Sequence, residues 1–409
     1  MKTRLPFIFI IITMMLNSIG IGLILPVMPD LIAELTGGSI SSAALWGGVL
    51  ATTYAVMQFF VGPTLGNLSD RFGRRPVLLV SLITLGLDYV LLTFANTIWW
   101  LFVGRVIAGI AGATFSTASA YIADISAPEK RAANFGLVGA AFGIGFVIGP
   151  AIGGFLGEIG PRVPFMAAAI VALANTTLGY FILPETLPQS KRRTFDWARA
   201  NPLGALIAIG KIPYLTSLVV VFLLFTISHQ AYPAVWSYYT IERFGFSPKM
   251  IGASLAVFGL FMALVQGGLI RMIIPKLGEM RTAMWGMGMN FVVFILVAFL
   301  GEAWMLFALM PFMTLGAVAG PALQGIMSKL VEDDAQGELQ GIFASVTGIA
   351  LILSPITMTS TFKYFTSTDA PYYLPGAPFL AASVLEVSAM VLLFVIAKRI
   401  WGTSPTPAE

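Results

Sequence analysis

The chain reads as an all-α membrane protein in which twelve transmembrane helices form two pseudo-symmetric halves of six. Three observations predict this. Of the 409 residues, 57% are hydrophobic and only 10% charged, whereas about a quarter of the residues in a soluble domain are charged. Apolar runs of about 20 residues, the length that a bilayer demands, recur twelve times. The last six runs repeat the first six weakly at an offset of 205 residues, which superposes Leu101-Phe102 on Leu306-Phe307, Gly136 on Gly341 and Gly149-Pro150 on Ser354-Pro355. Such a parallel repeat of six spans is one of the known transporter designs.

Taken in order, the runs predict spans at residues 5–28, 43–65, 77–95, 99–123, 132–156 and 164–183, then 214–239, 250–273, 282–300, 304–330, 337–362 and 376–400. The N-terminal run follows Lys2 and Arg4 but lacks an A-x-A-like cleavage site, so it is read as a retained first span. Residues 185–213 form the longest polar interval and separate an N-terminal half, 1–184, from a C-terminal half, 214–409. With both termini cytoplasmic, only Arg162, Arg243, Lys249 and Lys363 fall on the outer side; Arg105 lies in a span and every other Lys and Arg is internal. That asymmetry sets the orientation. The net charge of +4 is dispersed over loops, which argues against a nucleic-acid partner, and the absence of cysteine removes thiolate chemistry and Cys-based metal sites.

Between spans two and three lies Gly66 to Pro76, GNLSDRFGRRP. Gly66, Gly73 and Pro76 are expected to turn the chain, with Asp70 capping or facing a helix N-terminus and Arg71, Arg74 and Arg75 in cytoplasmic water. Asp124, at the inner end of span four, is expected to pair with Arg74 or Arg71 and so close an inner gate; a surface salt bridge of little worth is the competing account. The repeat places Gly278-Glu279-Met280 on Gly73-Arg74-Arg75, with Pro275 where Asp70 would be.

Within the spans the ionisable residues are few: Asp88, Arg105, His229 and Glu386. Each is costly in hydrocarbon and belongs in the bundle interior or beside water. Asp88 falls about 18 Å along its helix at 1.5 Å per residue, past mid-depth, which suits proton exchange. The bland alternative is a carboxyl fixed by hydrogen bonds. Arg105, always charged, needs a carboxylate, carbonyls or substrate. Glu386 is either a second proton site or an acid satisfied by a nearby hydroxyl, and His229 reads as hydrogen-bonded structure.

In span five, GIGFVIGPAIGG puts Gly145, Gly149 and Gly153 four apart on one face, with Pro150 and Gly154 beside them. Small residues at that spacing let helices approach closely. A cavity for a flat, amphipathic small molecule is expected from Asn17, Gln58, Gln230, Gln266, Asn290 and Gln324, with helix–helix hydrogen bonds as the alternative for several of them, and with Met57, Tyr232, Trp236, Phe261 and Met262 as adaptable apolar lining.

Gly-x-Leu-Ser-Asp-Arg-x-Gly-Arg-Arg-Pro resembles the signature loop of the major facilitator transporters. The span-five string resembles the antiporter motif that separates exporters from symporters, and Arg105-x-x-x-Gly109-x-x-Gly112-Ala113 resembles the fourth-span motif of proton-coupled members. Taken with Leu65 to Leu91, AYIAD, GPAIGGFLGEIGPRVPF, GPALQG and GELQG, the chain resembles the tetracycline-resistance exporters of the drug:proton antiporter group. The resemblance implies the facilitator fold, entry of a proton and exit of a metal-chelated tetracycline, and a bacterial inner-membrane location. It implies no bound cofactor, a divalent metal arriving only in the drug chelate, and a protein functional as a monomer in lipid. By matching position it carries over Asp70 and the hairpin arginines, Asp88, Arg105, Gln58, Gln230, Gln266 and the span-five glycines. Three positions depart: Asn17 replaces an acid, Met262 a histidine and Asn290 an aspartate, all losses of titratable groups.

The leading reading is a proton-driven exporter working by alternating access. A multidrug or metabolite exporter and an uptake symporter are alternatives on the same fold. A membrane-embedded enzyme lacks a nucleophile with a base or a metal cluster in this sequence, and a scaffold does not explain the cost of burying Asp88 and Arg105.

Overall fold

The computed structural model describes residues 4–112, 114–195, 201–202, 204, 214–332 and 335–401. Among them there are α, 3-10 and π helices and no strand. Among the described residues, twelve helices are long and apolar enough to cross a membrane: Leu5–Ile24, Ile40–Phe72, Arg74–Thr93, Ile98–Ile125, Ala133–Gly157 and Val163–Ile182, then Leu215–Phe244, Pro248–Leu277, Glu279–Ala298, Ala303–Ser328, Gln336–Thr366 and Ala377–Lys398. They are called spans one to twelve below. Arg199 and Lys211 of the linker fall outside the described residues.

Two of the boundaries that differ from the sequence reading do so for a plain local reason. Span one ends at Ile24 and not at Met28, because Pro26 and Pro29 cannot continue its ladder. The chain turns and starts a short helix, Met28–Thr36, with proline in its first turn, which stops at Gly37 in the left-handed conformation (φ 62°). Span two runs on to Phe72, well past Leu65. Gly66 therefore sits inside a helix and does not turn the chain, and Pro76 lies in the first turn of span three. The reversal falls on Gly73 alone, whose φ of 106° is open to glycine and strained for any other residue. Gly278, at the repeat-related position, has the same kind of backbone, with φ 74° and ψ 162°.

Four spans are irregular at depth. Span four breaks at Gly112, span seven at Gln230, and span ten passes through a 3-10 turn at Gly316–Val318. Span eight carries a π-helical segment, Val265–Leu269, that contains Gln266. Irregular backbone inside a membrane survives where side chains or cavities take up the freed groups.

The chain forms two compact units. One comprises Met1–Pro202 with Thr240–Gly259, the other Leu203–Tyr239 with Leu260–Glu409. In the first, Phe9, Ile10, Met14, Leu78, Leu82, Tyr121 and Ile122 make a core between spans one, three and four. In the second, spans seven, nine, ten, eleven and twelve close over Phe222, Phe225, Met287, Leu323, Phe343 and Leu393.

Why Thr240–Gly259 packs with the first unit follows from glycine. Gly145, Gly149 and Gly153 lie against the backbone of span one at Met15, Ile19 and Leu23, where a Cβ has no room. Gly154 meets the backbone of Pro248 and Gly252 at the start of span eight. Pro150 is buried between these contacts.

Candidate functional site

The cluster at the turn between spans two and three is built on Arg74, which leaves Gly73 pointing back along span two. Its guanidinium reaches Asp70 at 2.6 Å and Asp124 at 3.2 Å, and donates to Ser69 Oγ at 2.6 Å. Arg74 is thus the partner of Asp124, and Arg71 stays exposed. Thr186 Oγ1 adds a hydrogen bond to Asp124 at 3.2 Å. Asp70 does not cap a helix; that role falls to Glu185, which the sequence reading missed. The Glu185 carboxylate accepts from the backbone N–H groups of Arg74 at 2.9 Å and Arg75 at 3.3 Å, at the positive end of span three. Arg75 donates to Tyr180 O at 2.7 Å with its guanidinium over the Tyr180 ring. The signal for Glu185 is a lone acid between two prolines just after span six, legible only once spans three and six are neighbours.

Inside the first unit, Asp88 of span three and Arg105 of span four form an ion pair at 3.3 Å, with the Asp88 side chain fully buried. Asp88 Oδ1 and Arg105 Nε have no hydrogen-bond partner in the structure, so the pair is held by one contact and has capacity to spare. Two residues absent from the sequence reading shape it. Gly104 leaves the space that the Asp88 carboxylate fills, and Tyr54 of span two places its ring 5.9 Å from the Arg105 guanidinium. One turn on, Gln58 donates to Gly112 O at 3.4 Å, where span four breaks.

The second unit repeats this device with different residues. Asn290 of span nine donates to Gly316 O at 3.4 Å, where span ten breaks. Its amide also donates to Glu386 Oε1 at 3.1 Å, and Glu386 Oε2 is hydrogen-bonded to Ser228 of span seven. Glu386 is fully buried, and no ion pair to it is found among the described residues. Tyr232 and Trp236 are buried beside it in an aromatic cluster with Phe294 and Phe379, the Tyr232 and Phe294 ring centroids 5.0 Å apart. His229 packs between Phe225 and Tyr232, and its Nδ1 has no partner.

The other candidate cavity residues are more open. Gln230 and Met262 are half-buried and Gln266 is exposed, its amide 3.3 Å from Met262 Sδ. Asn17 lines a cleft of the first unit with Thr13, Tyr89 and Asn175. Among the described residues no group of three His, Cys, Asp or Glu side chains is placed to hold a metal ion.

Residues 10–355 match the Major Facilitator Superfamily. The chain belongs to it. The chain is 39% identical to the class C tetracycline resistance protein of Escherichia coli over 90% of its own length and 92% of that protein's. It is 34% identical to the class H protein of Pasteurella multocida over 95% of both chains, and 36% identical to the class B protein of Escherichia coli over 87% of its length and 88% of the other. Among solved structures, the nucleoside transporter NupG superposes with a TM-score of 0.79 at 12% identity, covering 97% of this chain and 99% of that one. The human organic anion transporter MFSD10 superposes with a TM-score of 0.70 at 22% identity, covering 96% and 99%. The facilitator fold is therefore common to all of them, and this superfamily member is a multi-pass membrane transporter and not an enzyme.

Proposed function

We propose that this chain is a drug:proton antiporter of the inner membrane that exports an amphipathic small molecule, a tetracycline foremost, by alternating access. The observation that carries this reading is the match along nearly the whole chain to tetracycline resistance proteins at 34–39% identity. The geometry supports it with a costly acid in each unit, Asp88 and Glu386, both buried at depth.

In this reading the halves are residues 1–184 and 214–409, joined by the cytoplasmic segment 185–213, with both termini inside and the monomer as working unit. Asp88, Arg105 and Glu386 couple the proton. Gly66, Asp70, Arg71, Gly73, Arg74, Arg75 and Asp124 form the inner gate. The tight contacts of Gly145, Gly149, Pro150, Gly153 and Gly154 hold the outer ends of spans one, five and eight. Asn17, Gln58, Gln230, Tyr232, Trp236, Met262, Gln266 and Asn290 meet the substrate, and a divalent metal travels only as part of the drug chelate.

Asn17, Met262 and Asn290 favour a second reading, an exporter whose substrate has moved away from tetracycline, because none of the three supplies a charge. Drug susceptibility separates the two. In an efflux-deficient host, resistance to tetracyclines that disappears with Asp88→Asn is the expected result. Resistance only to unrelated amphipathic compounds, with membrane expression verified, replaces tetracycline as substrate.

A further inference from the structure

We infer that Glu386 carries a proton in this conformation and is the residue that loads the proton in the C-terminal unit, while Asp88 stands ionised against Arg105. A count of hydrogens leads there. Ser228 has one hydroxyl proton, and its Oγ lies 2.8 Å from Phe225 O, a carbonyl that can only accept. Assigning that proton to the carbonyl leaves the bond between Ser228 and Glu386 to be filled by a proton from the carboxyl. The other side of the group agrees. Asn290 has two amide hydrogens and spends them on Glu386 Oε1 and Gly316 O, so Oε1 is the carbonyl oxygen and Oε2 bears the proton.

Among the described residues no cation pairs with this carboxyl to balance an anion. Span twelve packs on spans seven, nine and eleven. Span seven presents Ser228, followed by His229 and Tyr232, which are turned into the aromatic cluster. Span nine presents Asn290, and its acid and base, Glu279 and Arg281, lie at the inner end. Span eleven has Glu338, Lys363 and Tyr364 only near its ends. A carboxylate buried without a cation costs several kcal/mol, whereas the acid form is neutral and fully hydrogen-bonded. Release leaves a carboxylate here and a hydrated proton in the water that receives it. The anion is tolerable only where water or a cationic group reaches it, so release requires a change of conformation. Asp88 is the opposite case, because its charge is already balanced.

This assignment rests on the exporter reading for its role in transport but not for the protonation itself, and the test keeps the two apart. Infrared spectra of the purified protein at neutral pH, wild type minus Glu386→Gln, should show the C=O band of a protonated carboxyl. A difference spectrum with only carboxylate bands overturns the proposal. Should the variant not fold, the same band is followed in wild-type protein carrying carbon-13 glutamate, where it must be present at neutral pH and bleach with alkali. In proteoliposomes, tetracycline accumulation should respond to an imposed pH gradient in wild type and cease to respond in Glu386→Gln, and an unchanged response removes Glu386 from the coupling. Wild-type liposomes that never accumulate tetracycline contradict the substrate reading and leave the infrared result standing.

Discussion

Lys329 lies 2.8 Å from Glu279, and the two occupy the positions that the internal repeat assigns to Asp124 and Arg74. The same clamp between two helix ends is present in both units with its charges exchanged. The copies differ in support. Arg74 is mostly buried and also holds Asp70 and Ser69, whereas Lys329 is largely exposed and Pro275 stands where a second acid would be. An exposed pair contributes about 0–1 kcal/mol.

The two clamps should therefore answer differently to charge reversal. Glu279→Lys combined with Lys329→Glu should retain transport near the wild-type rate. Arg74→Glu combined with Asp124→Arg should not, because an acid at position 74 faces Asp70. Transport rates in proteoliposomes, with expression matched, check both, and equal outcomes contradict a gate centred on Arg74.

Asp88→Asn should abolish pH-driven transport while the protein stays in the membrane. It leaves Arg105 as a buried charge without its carboxylate, at a cost of about 3–5 kcal/mol. Adding Arg105→Met should raise the melting temperature again without bringing back transport. Full activity of Asp88→Asn makes the pair structural.

Span five offers an internal control. Gly153→Ala puts a methyl group into the backbone of Leu23 and should cost about 1–3 kcal/mol. Gly143→Ala has open space around its new Cβ and should be silent. Thermal melting in detergent reads both, and equal shifts contradict the close approach of spans one and five.

Just after span five, Glu158 accepts from the N–H of Lys249 at 3.1 Å, and hydrogen bonds from the Ser247 side chain and this N–H hold its carboxyl below the ordinary glutamate range. Since the folded protein binds the proton more weakly than the unfolded chain, the contribution is complete above about pH 4.3 and fades as the pH falls through the lower folded value. Glu158→Gln should flatten the acid side of the melting temperature against pH. An unchanged profile removes the contact from the balance.

Twelve spans were legible because a bilayer filters composition over 20-residue windows and leaves a one-dimensional record. Asp88 and Arg105 were legible as costs, but nothing in their spacing says that they meet. Glu386 was an acid without a place: its partners Ser228 and Asn290 are 158 and 96 positions away in the chain. Glu185 and Tyr54 were missed for the same reason, since an ordinary loop acid and an ordinary tyrosine gain their roles only from the helix that arrives beside them. Gly66 misled because glycine inside a long helix and glycine in a turn look alike in sequence.

The breaks in spans four and ten have a consequence of another kind. Each is tied by an amide that keeps its form at any physiological pH, Gln58 at Gly112 and Asn290 at Gly316. Only the second amide has its other hydrogen on an acid. The two joints thus differ in kind: one is insulated from acidity, and the other shares its amide with a carboxyl, so that under the proposed proton loading a change at Glu386 is felt at the elbow of span ten.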